Sequence, residues 1–320
     1  MLGNRAHETP CPDKDPMPVA SESPPARPAF SRLVYGTWRL LDEAASAAPE
    51  ALARRLESCA ALGLTTVDTA EIYGRYEVEE RLGAALRLTP GLRAKLQIVT
   101  KCGIYVPVPR HPDRSVAYYD ATAARIVSSA EKSLRLLGTD HIDLFLVHRP
   151  DWLTPADETA AGLDRLLRDG KILGAGVSNY SVAQFETLQS RLRVPLVANQ
   201  IELSLFRMDA LADGTLQQCE RLGVQPMAWS PLGGGRLFRD GDDAAARIRA
   251  ACAEIAPRYD HAAPEAIAIA WILALPARPI VIIGTNKIDR VREAAQAASI
   301  RLAREDWYRL WEAAQGRRIP

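Results

Sequence analysis

The sequence has few of the patterns that mark metal sites, disulfide frameworks or phosphate-binding loops. Its five cysteines are scattered and no two form a C-x-x-C pair, so neither a zinc site nor a disulfide framework is expected. Its five histidines show neither H-x-H nor H-E-x-x-H spacing, which argues against a catalytic metal. No G-x-x-x-x-G-K segment followed by serine or threonine occurs, which excludes a P-loop. We therefore expect reduced thiols and a site without a metal ion.

The sequence also lacks a charge excess and a long apolar run. Its 40 basic and 39 acidic residues leave a formal net charge of +1, so nucleic acid and anionic membranes are not expected partners. No apolar stretch is long enough for a signal peptide or a membrane span. These features predict a cytoplasmic protein with a small-molecule partner. A monomer is expected, and the oligomeric state is left open.

The first thirty residues differ in composition from the rest of the chain. They combine many prolines with charged and small residues, and such a segment cannot bury enough apolar surface to offset the entropy lost on ordering. We expect a disordered, proline-rich tail over residues 1–30 and a single domain over residues 31–320. The prolines are Pro10, Pro12, Pro16, Pro18, Pro24, Pro25 and Pro28.

From residue 32 onward, short apolar runs alternate with segments that have helical spacing, such as Leu52, Leu56 and Cys59. Continuous apolar strands that alternate with helices indicate a buried parallel sheet. Eight such units on a chain of this length predict an α/β fold, the (β/α)8 TIM barrel, with eight parallel strands and outer helices. The runs are Leu33–Gly36, Thr65–Thr69, Leu96–Lys101, Ile142–His148, Ile172–Ser178, Leu196–Gln200, Val224–Ser230 and Ile280–Gly284.

Polar residues or glycines close all eight runs. Any one of them alone is more often a helix cap or a turn residue than a functional group. In a barrel, however, the carboxyl ends of the strands form the active face, and two long loops, 103–119 and 232–243, belong to the same face. The residues are Gly36 with Thr37 and Trp38, Asp68, Lys101, His148, Ser178 with Asn179, Gln200, Ser230, and Gly284 with Thr285.

Three of these side chains, together with Tyr73, suggest acid catalysis. Lys101 closes an apolar strand and needs a carboxylate partner, which Asp68 on the neighbouring strand can supply. Tyr73 follows Asp68 by five residues, and a nearby ammonium lowers the pKa of a tyrosine from its usual value of about 10. With His148 as a second hydrogen-bond donor, the group could protonate an oxyanion as hydride adds to a carbonyl.

Seven segments strongly resemble the aldo-keto reductase superfamily: VDTAEIYG, VTKCG, LFLVHRPD, GAGVSNY, ANQIE, AWSPLGGG and VIIGTNKIDR. They occur in order between about residues 33 and 316, nearly the whole chain outside the tail. The sequences of these segments are most similar to those of a bacterial branch of predicted NADPH-dependent oxidoreductases. The resemblance implies reduction of aldehydes or ketones to alcohols with NADPH. It makes Asp68, Tyr73, Lys101 and His148 the catalytic residues, with Tyr73 as the general acid.

The same resemblance implies a set of cofactor-binding residues. The first barrel strand and the loops after strands seven and eight would hold the dinucleotide, and Trp38 would line the substrate pocket. Ser178, Asn179 and Gln200 would hold the nicotinamide carboxamide, and Glu293 would lie near the adenine. The remaining cofactor contacts implied are Gly36, Thr37, Ser230, Pro231, Leu232, Gly233, Gly235, Gly284, Thr285, Asn286, Lys287 and Arg290.

Two positions depart from the family pattern. The resemblance leads us to expect an aromatic residue, stacked on the nicotinamide, three positions after Gln200, where this chain has Leu203. An asparagine often follows the glutamate near the adenine, where this chain has Ala294. Ring packing by an aliphatic side chain and fewer adenine contacts are therefore expected.

Two other functions are considered beside the reductase. One is an NADPH-binding barrel that serves as a sensor or interaction subunit with little turnover, although such a protein needs none of the four catalytic side chains. The other is a phosphate-handling barrel isomerase, which would not explain Tyr73 and Lys101 together. The physiological carbonyl substrate is not revealed by the sequence.

Overall fold

Eight short parallel strands close into a barrel within residues 29–319, the part of the chain that the computed structural model describes. The predicted (β/α)8 barrel is confirmed. Most of the predicted tail, residues 1–28, lies outside the described residues, and Phe30 packs against apolar side chains of the barrel. The barrel strands are β1 (Leu33–Gly36), β2 (Thr66–Asp68), β3 (Gln97–Cys102), β6 (Leu144–Val147), β7 (Ala175–Ser178), β8 (Ala198–Glu202), β9 (Gln225–Trp229) and β10 (Ile280–Ile283); β4 (Ile104–Tyr105) and β5 (Tyr118–Tyr119) pair antiparallel in the long loop after β3.

The strand register aligns the polar strand ends at one rim. Gly36 pairs with Asp68 across β1 and β2, and Ser178 pairs with Gln200 across β7 and β8. The observed strands are shorter than several of the predicted runs, so His148 and Ser230 lie one residue beyond their strands. Because parallel neighbours end together, these side chains are brought to the same face of the barrel.

Helices surround the barrel, and several end where the sequence has glycine. Gly138 and Gly223 cap their helices in the left-handed conformation, with φ of 67° and 63°, which glycine adopts without a steric penalty. No helix within residues 29–319 is long and apolar enough to cross a membrane. The helices are α1 (Pro49–Ala61), α2 (Val78–Leu88), α3 (Ala123–Leu137), α4 (Ala156–Arg168), α5 (Val182–Gln189), α6 (Thr215–Leu222), α7 (Asp243–Ile255), α8 (Pro264–Leu273), α9 (Ile288–Ala295) and α10 (Arg304–Gln315).

Small residues on β7 serve the packing of the barrel. A Cβ atom added to Gly176 would lie 2.6 Å from Leu146 Cδ2 and 2.8 Å from the carbonyl oxygen of Ala198, so no larger side chain fits without displacing its neighbours. Cys102 is buried among apolar side chains, and this burial raises the pKa of its thiol. It is a core thiol, as its place in the alternation of β3 predicted.

A pair of stacked tryptophans joins α10 to α8. The rings of Trp271 and Trp307 lie 4.8 Å apart at an angle of 8°. Each indole Nε1 donates to the main-chain carbonyl oxygen of the other residue, at 3.1 and 2.9 Å. Ring stacking and the two indole hydrogen bonds therefore hold α10 against α8.

We expect Trp307→Ala to lower the free energy of unfolding by about 2–3 kcal/mol, because a large, partly buried ring and one hydrogen bond are lost. Trp307→Phe keeps most of the stack and should cost about 1 kcal/mol. Urea unfolding followed by circular dichroism measures both. Equal stabilities for the alanine variant and the parent would show that the stack does not hold α10.

Candidate active site

A cleft of about 650 Å³ opens at the carboxyl ends of the strands. It is long, and it runs from Trp38 and Tyr73 to the first turn of α9. Most of the site residues predicted from the sequence line it: Gly36, Trp38, Asp68, Tyr73, His148, Ser178, Asn179, Gln200, Ser230, Pro231, Leu232, Gly235, Gly284, Thr285, Asn286, Lys287 and Arg290.

At one end of the cleft, Lys101 lies beneath Tyr73 and is fully buried. Its ammonium donates three hydrogen bonds, to Asp68 Oδ1 at 2.7 Å, to the carbonyl oxygen of Thr69 at 2.8 Å and to the Tyr73 hydroxyl at 3.0 Å. The second Asp68 oxygen accepts from Gln200 Nε2 at 2.7 Å. All three ammonium protons are thus used, and Lys101 does not line the cleft itself but contacts two residues that do, Asp68 and Tyr73.

The turn after β2 places the Tyr73 hydroxyl. Tyr73 begins a tight turn in which Gly74 has a φ of 53°, and a Cβ atom there would lie 2.3 Å from Leu41 Cδ1. Glycine is therefore required at this position both by conformation and by space. The Tyr73 ring meets the Trp38 ring edge to face at 4.9 Å and lies 6.0 Å from the His148 ring.

Burial dominates the protonation of this group. It raises the pKa of Tyr73, although Lys101 acts in the opposite direction and Asp68 adds to the rise. The sequence suggested a lowered pKa for Tyr73, and this prediction is wrong, because the net shift is upward. Lys101 does lower the pKa of Tyr73, as expected, but burial outweighs its effect. Burial disfavours the charged Lys101, but Asp68 and Tyr73 outweigh it and its pKa is raised. Burial, then Lys101 and Arg149, hold the pKa of His148 well below its usual value, so His148 is neutral near pH 7.

A hydrogen-bonded chain of polar side chains lies beside this group. Asn179 Nδ2 donates to Ser178 Oγ at 2.8 Å, and Ser178 Oγ donates to the Gln200 carbonyl oxygen at 3.0 Å. Trp229 Nε1 donates to Asn179 Oδ1 at 3.1 Å. Asn179 has a φ of 60°, a conformation that asparagine tolerates better than most residues.

One aromatic wall of the cleft comes from a residue that the sequence analysis did not name as a site residue. Trp229, the last residue of β9, lines the cleft. Leu203 is completely buried in the core and does not belong to the cleft lining, so the expected aliphatic packing at Leu203 is wrong. The sequence did indicate that Trp229 could reach the cleft, because Trp229 immediately precedes Ser230 at the end of a predicted strand.

At the far end of the cleft, α9 begins with Lys287 at its N-cap. Lys287 and Arg290 line the cleft, and neither side chain has a hydrogen-bond or ion-pair partner among residues 29–319. Asp289 instead pairs with Arg292 at 2.6 Å and points to solvent. The carboxylate closest in sequence to these two cations is therefore turned away from them.

Three predicted cofactor residues are placed off the cleft wall. Thr37 is fully buried, and its main-chain NH and its hydroxyl both donate to the carbonyl oxygen of Asp68, at 2.9 and 3.0 Å. Gly233, with a φ of 60°, packs against Phe206. Glu293 lies beside Glu265, a cleft residue on α8 that the sequence analysis did not name. Within the described part of the chain, no group of three His, Cys, Asp or Glu side chains is arranged to hold a metal ion.

The loop after β1 is tied to both walls of the cleft. Arg39 Nη2 donates to the carbonyl oxygen of Gly234 at 2.7 Å. Asn286 Nδ2 donates to the carbonyl oxygen of Arg39, also at 2.7 Å. These contacts link the loops after β1, β9 and β10, so a long ligand in the cleft would meet one connected frame.

Residues 32–315 match the sequence model of the aldo/keto reductase family. The chain belongs to this family. Its members are oxidoreductases that act on small-molecule carbonyl compounds and use NADP(H). The family resemblance drawn from the seven segments is confirmed, and the protein is an oxidoreductase.

Two bacterial reductases illustrate how similar its relatives are. The chain is 45% identical over 290 residues to a 6-dehydroglucose reductase of Agrobacterium fabrum, with 91% of this chain and 96% of that protein covered. It is also 45% identical over 296 residues to the oxidoreductase YdhF of Escherichia coli, with 92% and 97% covered.

Solved structures of the family have the same fold. An aldo/keto reductase from Klebsiella pneumoniae, crystallised with NADP and acetate, superposes with a TM-score of 0.70 at 29% identity, covering 88% of this chain and 90% of that chain. The glycerol dehydrogenase of Gluconobacter oxydans gives a TM-score of 0.77 at 26% identity, with 89% and 91% covered.

Proposed function

We propose that this aldo/keto reductase reduces aldehyde or ketone carbonyls to alcohols with NADPH, and that Tyr73 is the proton donor. The observation that carries the proposal is the buried chain from Asp68 through Lys101 to the Tyr73 hydroxyl, which ends in the cleft. A structural ion pair needs no phenol at its end. A phenol held in this way fits a group that gives its proton to a substrate oxygen.

The reaction needs a hydride and a proton. Bound NADPH supplies the hydride, with its electron pair, to the carbonyl carbon and becomes NADP+. The Tyr73 hydroxyl gives its proton to the carbonyl oxygen as negative charge develops there, and it is reprotonated from solvent. Neutral His148 can donate a hydrogen bond to the same oxygen without repelling Lys101. Trp38, which is 60% exposed, covers the edge of Tyr73 and leaves room for substrates of different size.

The rest of the cleft fits a dinucleotide phosphate. Trp229 offers an aromatic face next to the catalytic residues, beside the Ser178 and Asn179 amide chain. The loop after β9 contains Gly234 and Gly235 with φ of 65° and 94°, conformations that allow backbone amides to approach a pyrophosphate. Unpartnered Lys287 and Arg290 at the start of α9 suit the additional phosphate of NADPH.

The substrate of this chain is proposed to be a small aldehyde. Two relatives, at 45% identity in Agrobacterium fabrum and 35% in Novosphingobium aromaticivorans, are both named 6-dehydroglucose reductase. That name describes reduction of a sugar aldehyde. Loss of NADPH absorbance with a panel of simple and hydroxylated aldehydes tests the proposal, and no consumption with any of them would favour the sensor or interaction subunit. The barrel isomerase is not supported, because the chain belongs to an oxidoreductase family.

Arg290→Ala is expected to weaken NADPH binding about ten- to a hundredfold and to change NADH binding little, because charged hydrogen bonds to the extra phosphate are lost. Fluorescence titration gives both dissociation constants. Arg292→Ala is the matched control, since Arg292 lies on the same helix but pairs with Asp289. Equal losses for NADPH and NADH in the Arg290 variant would contradict a role in phosphate recognition.

A further inference from the structure

Arg149 is a cleft residue that the proposed reaction does not use. It directly follows His148 in the loop between β6 and α4, and it lines the cleft together with Tyr73 and Trp229. Its guanidinium carbon lies over the Trp229 ring, 5.9 Å from the centroid. Arg149 is therefore at the catalytic end of the cleft, and Lys287 and Arg290 belong to the other end.

The guanidinium of Arg149 has no hydrogen-bond or ion-pair partner in the described range, residues 29–319. Two other arginines near this face are engaged: Arg39 donates to Gly234, and Arg125 pairs with Glu71 at 2.6 Å. Arg149 is partly buried and lines the cleft, so its charged donors are available to a ligand there. A ligand with oxygen acceptors would satisfy them.

The loop around Arg149 does not supply an internal partner. The carboxylate closest in sequence, Asp151, accepts from the main-chain NH groups of Ala121 and Leu153, each at 3.0 Å, and from the Thr154 hydroxyl. Pro150 restricts the backbone between the two residues. The hydrogen bonds of Asp151 and the ring of Pro150 thus hold the turn that carries Arg149. The guanidinium of Arg149 remains available to a ligand in the cleft.

Other charged residues of the cleft bear on which oxygen acceptors fit. The exposed residues Asp42 and Glu43 line the same cleft, and their carboxylates would repel an anionic substrate that reaches them and accept hydrogen bonds from hydroxyl groups. The electrostatic influence of Arg149 also reaches the reacting groups. Burial first raises the pKa of Tyr73, and Arg149 acts with Lys101 to oppose that rise.

We propose that Arg149 determines substrate specificity by donating hydrogen bonds to hydroxyl groups next to the reacting carbonyl, so that the preferred substrates are hydroxylated aldehydes of the sugar type. This inference rests on the proposed NADPH-dependent reduction. The planar fork of the guanidinium matches two neighbouring oxygens, which a lysine ammonium cannot do in the same way. An aldehyde without hydroxyl groups leaves the fork unsatisfied and is bound less well in the transition state.

The experiment compares kcat/KM for D-glyceraldehyde, propanal and glyoxylate with NADPH in the parent enzyme, Arg149→Met and Arg149→Lys. The first two substrates have the same carbon chain and differ in their hydroxyl groups, and glyoxylate carries a carboxylate. Each substrate is compared with itself between variants, so its hydration in water cancels. Arg165→Met, at an exposed arginine of α4, is the matched control and should leave all three values unchanged.

We expect Arg149→Met to lower kcat/KM for D-glyceraldehyde about ten- to a hundredfold and to change the value for propanal by less than about threefold. Arg149→Lys should recover only part of the loss. An unchanged dissociation constant for NADPH shows that the cleft of the variant is folded.

Three results would overturn the inference. Equal losses for D-glyceraldehyde and propanal would assign Arg149 a structural or general electrostatic role. A larger loss for glyoxylate than for D-glyceraldehyde would mean that a carboxylate is recognised instead. Unchanged kcat/KM values for all three substrates in Arg149→Met would remove the residue from specificity altogether, while NADPH-dependent reduction by the parent would leave the proposed function standing. A parent enzyme that reduces no aldehyde with NADPH would overturn both.

Discussion

Replacing Tyr73 with phenylalanine is expected to lower kcat for aldehyde reduction by about a hundredfold or more, the scale of a lost proton donor. The phenyl ring fills the same space beside Trp38 and above Lys101, so cofactor binding should remain within about twofold of the parent, less than the effect of one lost hydrogen bond. Single-turnover reduction and NADPH titration by fluorescence separate the two effects.

The matched control for this change is Tyr180→Phe. Tyr180 is also a buried tyrosine on the active face, and its hydroxyl has no hydrogen-bond partner within residues 29–319. Its loss of a hydroxyl should leave turnover nearly unchanged. If Tyr73→Phe instead retains the parent's turnover on a reactive aldehyde, the proton must come from another group, and His148 is the next candidate to replace.

Lys101→Met is expected to lower the rate and to move the pH dependence to higher pH. Burial raises the pKa of Tyr73, and Lys101 is the strongest opposing influence. Removing the ammonium therefore raises the pKa of Tyr73 further. Alcohol oxidation needs the phenolate and increases as pH rises through this pKa, so its ascending limb should shift upward in the variant. Reduction needs the phenol, and its decline at alkaline pH should shift in the same direction.

Asp68→Asn provides a test with the opposite sign. The Asp68 carboxylate contributes to the raised pKa of Tyr73, and its removal leaves Lys101 unneutralised. The ascending limb of the pH profile for alcohol oxidation should therefore move to lower pH. The rate should fall, because Lys101 loses an orienting partner. Both substitutions are therefore expected to lower the rate, but they should shift the pH dependence in opposite directions. Equal pH profiles in both variants and the parent would contradict the arrangement.

The same pair predicts a loss of stability. Lys101 and Asp68 lie 2.7 Å apart and are almost completely buried, so removing one partner leaves an uncompensated charge and should cost about 3–5 kcal/mol. The double variant Asp68→Asn with Lys101→Met removes both charges and should recover much of that loss. Urea unfolding of the three variants measures their free energies of unfolding. The same measurement shows whether each variant is folded under the conditions of its pH profile.

Much of the active face could be predicted because its signals are local. Each barrel strand is a short apolar run closed by a polar residue, and parallel strands of a closed barrel end at one rim. Asp68, His148 and Gln200 could therefore be placed together before any distance was known. The start of α9 is also a local feature, because it lies between the end of β10 and the first residues with helical spacing.

Other features depend on side chains that are distant in the sequence. Trp229, not Leu203, provides the aromatic wall, because the chain turns after β8 and carries Leu203 into the core. Thr37 supports the main chain of Asp68 from below the rim. Asp289 pairs with Arg292 and is turned away from Arg290, although it is the sequence neighbour of Arg290.

The sequence by itself determined the family, the order of the eight strands and the residue types that meet at the rim, since these follow from periodicity and from motifs read along the chain. The tertiary structure alone decided which of those groups reach the cleft and how they are charged. Tyr73 illustrates the physical reason: its pKa is set mainly by desolvation, and desolvation depends on every atom that closes around it, from Trp38 in the first loop to His148 in the fourth. The free guanidinium of Arg149 is likewise visible only when all its neighbours are in place.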